Sequence, residues 1–268
     1  MSRRPVLLKL GGSVVTVKDA PHTANLDAIR RLAGEIAEAD VKPLVIIHGG
    51  GSFGHPTAKR YGLVGGYKSR GQLRGVAETH LAMLTLNRLV VDALLEAGVP
   101  AIPVSPLSSV VTRGGRMHVI ELEPLKLLLN LGFVPVLYGD VVMDEELGFT
   151  ILSGDQLIAR LAVELNAQRV VVGVDVDGLY TEDPKKSPDA KLVQRITPGE
   201  FEAVLPYAGG SAAEDVTGGM VGKVRELLWA AERGIPIQIV NASKPRIIFK
   251  ALRGEETPGT LIEPRRSG

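Results

Sequence analysis

Four short segments combine glycine with lysine, histidine or aspartate in patterns that suit the handling of phosphate. The first, Leu8-Lys9-Leu10-Gly11-Gly12-Ser13, is an apolar run of strand type that ends on a lysine and two glycines. Ligands of open α/β sheets bind at the carboxyl ends of the strands, and glycine lets backbone N–H groups come close to phosphate oxygens. A tight turn with a surface lysine accounts for the same residues. The second, His48-Gly49-Gly50-Gly51-Ser52-Phe53-Gly54-His55, again follows an apolar run. Two such glycine loops at two strand ends favour an anion cradle over a purely steric role. Neither is a Walker A sequence or a spaced Gly-x-Gly-x-x-Gly fingerprint.

The third segment, Val174-Asp175-Val176-Asp177-Gly178-Leu179-Tyr180-Thr181-Glu182-Asp183-Pro184, passes from a buried strand into an acidic turn with Asp-Gly chemistry. The fourth, Asp215-Val216-Thr217-Gly218-Gly219-Met220-Val221-Gly222-Lys223, sets glycines before a helix and a lysine in its first turn. Unpaired N–H groups and the positive dipole end of such a helix suit a nucleotide phosphate. A solvated loop lysine is the plain alternative. Asp155, in Ser153-Gly154-Asp155-Gln156, precedes a helical pattern, where an aspartate commonly caps the helix.

These residues need a frame. Apolar runs at Val6–Leu10, Pro43–His48, Ala101–Val104, Phe133–Tyr138, Val170–Val174 and Ile237–Val240 read as buried strands. Helical spacing lies between them at Leu26–Ala39, Leu73–Ala97, Pro124–Leu131, Asp155–Leu165 and Gly222–Arg233. The alternation predicts a largely parallel sheet with helices on both faces. Met117–Glu121, Val141–Met143 and Gly148–Ile151 form a local antiparallel set, and Asp183–Lys191 a surface loop.

Composition narrows the classes. The chain has 268 residues, 45% of them hydrophobic and 23% charged, the balance of a globular protein with a large core. Its 31 basic and 30 acidic residues leave +1, so no global basic field draws nucleic acid or an anionic membrane, and any anion site is local. Cysteine is absent, which excludes disulfides, thiolate zinc sites and a cysteine nucleophile. Neither a signal-peptide pattern nor an apolar stretch near the ~20 residues of a membrane span occurs, so the expected location is cytoplasmic.

Taken together and in order, Lys-Leu-Gly-Gly-Ser, His-Gly-Gly-Gly, the Gly154-Asp155 helix start, Val-Asp-Gly-Leu-Tyr-Thr-x-Asp-Pro and Thr-Gly-Gly-Met-x-x-Lys resemble the amino acid kinase family from Lys9 to about Pro258. The resemblance implies a three-layer α/β/α sandwich with an open, mainly parallel central sheet. It implies one domain over residues 1–268, with an acceptor-binding lobe at 1–165 and an ATP-binding lobe at 166–268. Within the family, Gly50-Gly51-Ser52-Phe53-Gly54-His55 looks like the isopentenyl phosphate kinases, whose histidine contacts the acceptor phosphate. Lys18 falls where that group places a second acceptor-side lysine. Fosfomycin-resistance kinases carry a similar histidine, so a phosphonate, an amino acid or UMP remains an alternative acceptor, and a non-catalytic nucleotide-binding module a further one.

What the resemblance implies for the residues follows. Lys9 and Lys223 stabilise the transferring phosphoryl group, Asp155 orients both, and His55 completes the catalytic set. Gly50, His55, Lys18 and Gly154 hold the acceptor. Lys9, Gly11, Gly12, Ser13, Gly51, Asp175, Tyr180, Gly219 and Lys223 hold ATP. Gly11, Gly12, Gly50 and Gly51 are expected to offer backbone N–H donors. Mg²⁺ arrives on the phosphates with no protein cage, a homodimer is the expected assembly, and the pathway is an alternative mevalonate route. Read by itself, His55 is a loop histidine packed beside Phe53, and His22, His80 and His118 carry no context. Val76, Leu81, Met83, Leu84 and Leu86 are candidates for an apolar tail pocket, and 62–67 for a lid.

Overall fold

Burial on both faces turns the β-branched and leucine-rich runs into the middle of a sheet. The computed structural model describes residues 3–182, 184, 187–201 and 219–264. Its strands are β1 (Val6–Leu10), β2 (Leu44–His48), β3 (Ala101–Pro103), β4 (Val110–Arg113), β5 (Arg116–Ile120), β6 (Val134–Tyr138), β7 (Asp140–Asp144), β8 (Gly148–Leu152), β9 (Arg169–Val174), β10 (Arg195–Ile196), β11 (Ile237–Asn241) and β12 (Thr260–Ile262). The helices are α1 (Gly12–Val15), α2 (Leu26–Ala39), α3 (Gly51–Arg60), α4 (Gln72–Glu96), α5 (Pro106–Ser109), α6 (Glu123–Leu131), α7 (Gly154–Glu164), α8 (Gly219–Ala231) and α9 (Ile247–Arg253).

An eight-stranded sheet runs β10-β12-β11-β9-β1-β2-β6-β3, parallel except where β12 meets β11. β1 is central. Chain from the first half lies on one side of it and chain from the second half on the other, the arrangement that opens a crevice beyond the strand ends. Leu8 pairs with Ile46 on one side and Val171 on the other.

Side chains alternate across a strand. Leu7, Val45, Ile47, Val170 and Val172 therefore face the α6, α7 and α8 layer, with Leu157, Leu161, Val224 and Leu227. Leu8, Leu44, Ile46 and Val171 face the α2, α4 and α9 layer, with Leu32, Leu86, Val90 and Ile248. The three-layer sandwich follows. Lys9 shares its face with Leu7 and so is aimed at α7.

The helix expected at Leu26–Ala39 forms with those bounds, started by Asn25, whose side chain accepts the Ala28 N–H at 3.2 Å. Of the predicted antiparallel set, β7 and β8 pair as expected, whereas β5 pairs with β4, a strand not anticipated, and a parallel β4–β7 contact joins the two hairpins into a second sheet. The glycine-rich 48–55 stretch differs from a plain loop, because it enters helix α3 at Gly51 in spite of Pro56. A proline at that place leaves the Ser52 carbonyl without its helical donor. The His22 N–H takes that carbonyl at 3.0 Å, so tertiary contact permits what local propensity opposes. Among the described residues, no helix is long and apolar enough to cross a membrane.

The second sheet delivers β8 into the start of α7, and Asp144 ties its turns together. Its carboxylate accepts the N–H groups of Gly114, Gly115, Glu146 and Leu147 at 2.8–3.1 Å. Burial opposes the charge, yet these bonds hold the carboxyl well below the ordinary range. Asp144→Asn removes acceptor capacity from a little-exposed site, so thermal unfolding should show a loss of about 1–3 kcal/mol near neutral pH. An unchanged melting temperature would refute the role.

Candidate active site

The carboxyl ends of β1, β2 and β9 converge on one buried carboxylate. Ser153 caps α7, its hydroxyl accepting the Gln156 N–H at 3.1 Å. Asp155 is therefore not the cap, and its side chain is free to turn toward the sheet. One oxygen forms an ion pair with Lys9 Nζ. Lys223 Nζ lies 3.0 and 3.2 Å from the two oxygens. Lys9 comes from the central strand and Lys223 from α8, whose start at Gly219 puts the lysine in the second turn instead of the first. Lys9 is 3% exposed and Asp155 5%.

Electrostatics follow from that burial. Desolvation lowers the affinity of Lys9 for its proton and Lys223 pushes the same way, while Asp155 opposes both, so Lys9 lies below the ordinary lysine range. Burial alone would raise Asp155, but the two ammonium groups overcome it and keep the carboxylate ionised. With Lys9 protonated, the trio carries a net positive charge, which favours an anion beside it.

Glycines determine the approach. A Cβ on Gly154 would lie 3.3 Å from Lys9 Cε, so this position leaves room for the lysine stem. The two glycine loops touch backbone to backbone: a Cβ on Gly12 would lie 2.8 Å from Gly51 Cα. Gly51 itself has φ +46°, a left-handed conformation that favours glycine. The Gly11 N–H is committed to Gly173 O at 2.8 Å, so Gly11 pins β1 to β9 instead of offering the expected donor. The N–H groups of Gly12, Gly50 and Gly51 carry no such bond among the described residues.

On one side of the trio, His55 is half-buried in α3, one residue past Gly54, and is not in a loop. Phe53 instead fills the core at 3% exposure, with the His22 ring on its edge at 5.6 Å. Lys18 is exposed in the segment that Thr16 fastens to α3: the Thr16 hydroxyl accepts the Ser52 N–H at 3.1 Å and donates to Gly12 O at 2.8 Å. His48 supports the loop, with Nδ1 3.0 Å from Gly49 O and Nε2 3.1 Å from the Asn87 amide nitrogen.

On the other side, Ser13 donates to Asp175 at 3.0 Å at the exposed end of β9. Tyr180 bonds Asp177, which also pairs with Lys244 at 2.6 Å and Asn241 at 2.9 Å. Asp177, Lys244 and Asn241 were not singled out from the sequence; Asn241 lies where β11 ends beside β9, a register no linear motif announces. Gly219 has φ +61° at the start of α8, and the Thr217-Gly218 part of its motif lies outside the described residues.

Of the tail candidates, Val76 packs on a small cluster of Ala58, Leu63, Val141 and Phe149, and Met83 lies under Gly50 and Gly54. Leu86 is in the main core, and Leu81 and Leu84 face outward. The 62–67 segment is fastened: the Gln72 amide donates to the Tyr61, Gly62 and Gly66 carbonyls and its oxygen accepts from Lys68 and Ser69.

A family model described as "Amino acid kinase family" matches residues 4–241. An isopentenyl phosphate kinase of Methanothermobacter thermautotrophicus is 44% identical over 264 residues, covering 96% of this chain and 98% of that one. One from Methanocaldococcus jannaschii is 35% identical over 268 residues, with 96% and 98% covered. A solved isopentenyl phosphate kinase structure matches with TM-score 0.84 and 41% identity, covering 96% of this chain and 100% of that chain.

Because the charge of Lys9 depends on a proton held weakly, anion binding and protonation are linked. In the free protein the charge is lost as pH rises through a value below the ordinary lysine range, whereas bound phosphates raise that value. The alkaline limb of kcat/KM for nucleotide, which reports the free protein, should therefore fall at lower pH than the limb of kcat. Coincident limbs above the ordinary lysine range would contradict this linkage.

Proposed function

The chain belongs to the amino acid kinase family, and from that membership we propose that it transfers the γ-phosphoryl group of ATP to isopentenyl phosphate, giving isopentenyl diphosphate and ADP. One observation carries the chemistry: a single buried carboxylate, Asp155, holds one lysine from the central strand and one from α8.

The acceptor supplies its own nucleophile. A phosphate monoester has a second pKa near ~6, so an oxygen is anionic at neutral pH and no general base is needed. That oxygen forms a bond to the γ-phosphorus as the bond to the bridging oxygen breaks, and ADP departs with the electron pair. The obstacle is repulsion between two anions brought into line. Lys9 meets the transferring group from the acceptor side and Lys223 from the nucleotide side, where charge stabilisation is the main contribution to rate. His55, Lys18, Gly50 and Gly154 hold the acceptor phosphate. Gly12, Ser13, Gly51, Asp175, Tyr180 and Gly219 line the nucleotide, with Gly11 shaping the turn. The lobes divide at about residue 165, acceptor before and nucleotide after.

Mg²⁺ belongs to the nucleotide in this reading. Among the described residues no group of three or more histidine, aspartate or glutamate side chains is placed to hold a metal, and Asp155 is already engaged by both lysines. The ion would be held by phosphate oxygens and water. The isoprenoid tail lies toward the small cluster around Val141 and Phe149, with Val76 at its margin. The reaction is placed in the cytoplasm, where ATP and a cysteine-free chain are at home, on an alternative mevalonate route.

Coupled ADP release across isopentenyl phosphate, fosfomycin, amino acids and UMP tests the acceptor. Isopentenyl phosphate should give the highest kcat/KM, and His55→Ala should lower it by about 100-fold, the scale of losing one transition-state donor. Preference for a carboxylate acceptor, or robust turnover by the variant, would overturn the assignment.

The assembly is a homodimer through the open sheet edge at β3. Exposed Leu81, Leu84 and Leu95 lie on α4, which packs on β3, and exposed Leu127 and Leu131 on α6, which packs on the neighbouring β6. An unpaired strand beside apolar surface invites a second copy. Light scattering should give twice the mass of the chain, and Leu84→Glu together with Leu127→Glu should halve it. A wild-type monomer would exclude this assembly.

A further inference from the structure

A second histidine borders the acceptor side. His80 stands on α4 three residues before Met83, whose sulfur would lie 3.2 and 3.1 Å from a Cβ at Gly50 and Gly54. That part of α4 therefore packs against the start of the helix that carries His55. On its other flank, His80 Nδ1 lies 2.7 Å from Asp140 Oδ2. Asp140 opens β7 directly after Gly139, whose N–H donates to His48 O at 3.0 Å. A Cβ on Gly139 would lie 3.1 Å from Gly154 N, and Gly154 borders Lys9. His80 is thus linked through Met83 to the helix that carries His55, and through Asp140, Gly139 and Gly154 to the backbone beside Lys9.

The pair is built to fix a ring. The Asp140 side chain has 0% exposure and its other oxygen accepts the Val141 N–H at 2.8 Å. A carboxylate only accepts, so Nδ1 carries the hydrogen. Nε2 is then the outward position of the ring. It makes no hydrogen bond to a described residue, and the side chain keeps 18% exposure. The bond to Asp140 favours the imidazolium over the desolvation that opposes it. Stability alone explains such a pair poorly, because desolvation of two partners offsets much of their attraction.

We propose that His80, oriented by Asp140, is a further acceptor-binding residue whose Nε2–H meets the acceptor phosphate opposite His55. This rests on the transfer to isopentenyl phosphate described above. Paired imidazoles would grip a phosphate monoester from two sides.

The test uses the full chain and separate KM values for isopentenyl phosphate and ATP. His80→Gln keeps a donor for Asp140 but removes the outward nitrogen. It should raise KM for isopentenyl phosphate about tenfold, the scale of one hydrogen bond to a charged group. Its kcat, KM for ATP and melting temperature should stay near wild type. His80→Arg, which can reach Asp140 and still present N–H groups, should recover most of the affinity. Asp140→Asn, which removes the charge and one of the two accepting oxygens but can still accept from His80, should raise the same KM by a smaller factor. An unchanged acceptor KM in His80→Gln would overturn the proposal. So would a joint rise of both KM values with a fall in melting temperature, the mark of a purely structural pair. Wild-type protein that turns over another acceptor but not isopentenyl phosphate would defeat the underlying reaction, and that result is visible before any variant is made.

Discussion

One carboxylate organises this molecule. Asp155 is buried, and it stays ionised only because Lys9 and Lys223 reach it from two parts of the fold. Each member depends on the others. Without the lysines, burial would neutralise Asp155; without Asp155, two ammonium groups would face each other in a poorly solvated crevice. Removing one partner of such a set is far more disruptive than the net worth of the pair, since an uncompensated buried charge remains. The trio is also the joint between β1 and α8, so the same contact that creates a positive floor fixes the distance between the two halves that would bring acceptor and nucleotide together.

The sheet makes that joint reachable. Strand alternation aims Lys9 at α7, and β1 lies between β2 and β9, so glycine loops after β1 and β2 meet above the lysine. Their contact is backbone on backbone. Side chains there would separate the loops and move the backbones of Gly12 and Gly51 apart. Gly154 and Gly139 do similar work below, where they leave room for Lys9 and bring Asp140 close. The glycine content is thus less about mobility than about distance. The 62–67 segment makes the same point, since its glycines shape turns that Gln72 then fastens.

Much of this was legible in the residues. The strands and the long helices announced themselves by period, because two-sided burial and one-sided burial leave different patterns. Lys9, Asp155 and Lys223 were marked by their motifs, although only the fold shows that Ser153 takes over the capping and releases Asp155. What stayed hidden depends on tertiary contact. Helix α3 forms against its own glycines and proline, because the His22 N–H donates to the Ser52 carbonyl that Pro56 leaves without a helical donor. The Asp177, Asn241 and Lys244 cluster unites strand ends 64 residues apart in sequence. His80 had no motif at all: its significance arises only when α4 is laid beside β7 and Asp140 is found buried under it.

The acceptor's chemistry explains why positive donors, and not a base, dominate the site. A carboxylate or an alcohol acceptor brings one charge or none, whereas a phosphate monoester arrives near a second full negative charge and must approach a triphosphate. Each fixed donor lowers that repulsion without reorganising, which is where preorganised sites gain over water. Too much permanent charge, however, would hold the diphosphate product as firmly as the transition state. Groups whose protonation responds to the ligand relieve this conflict. Lys9, held below its ordinary proton affinity by burial and by Lys223, gains charge most readily when phosphates are present. An imidazole would do the same for an acceptor phosphate near neutral pH. A site built from such groups has its strongest positive field while two anions are being forced together, and it weakens as they leave.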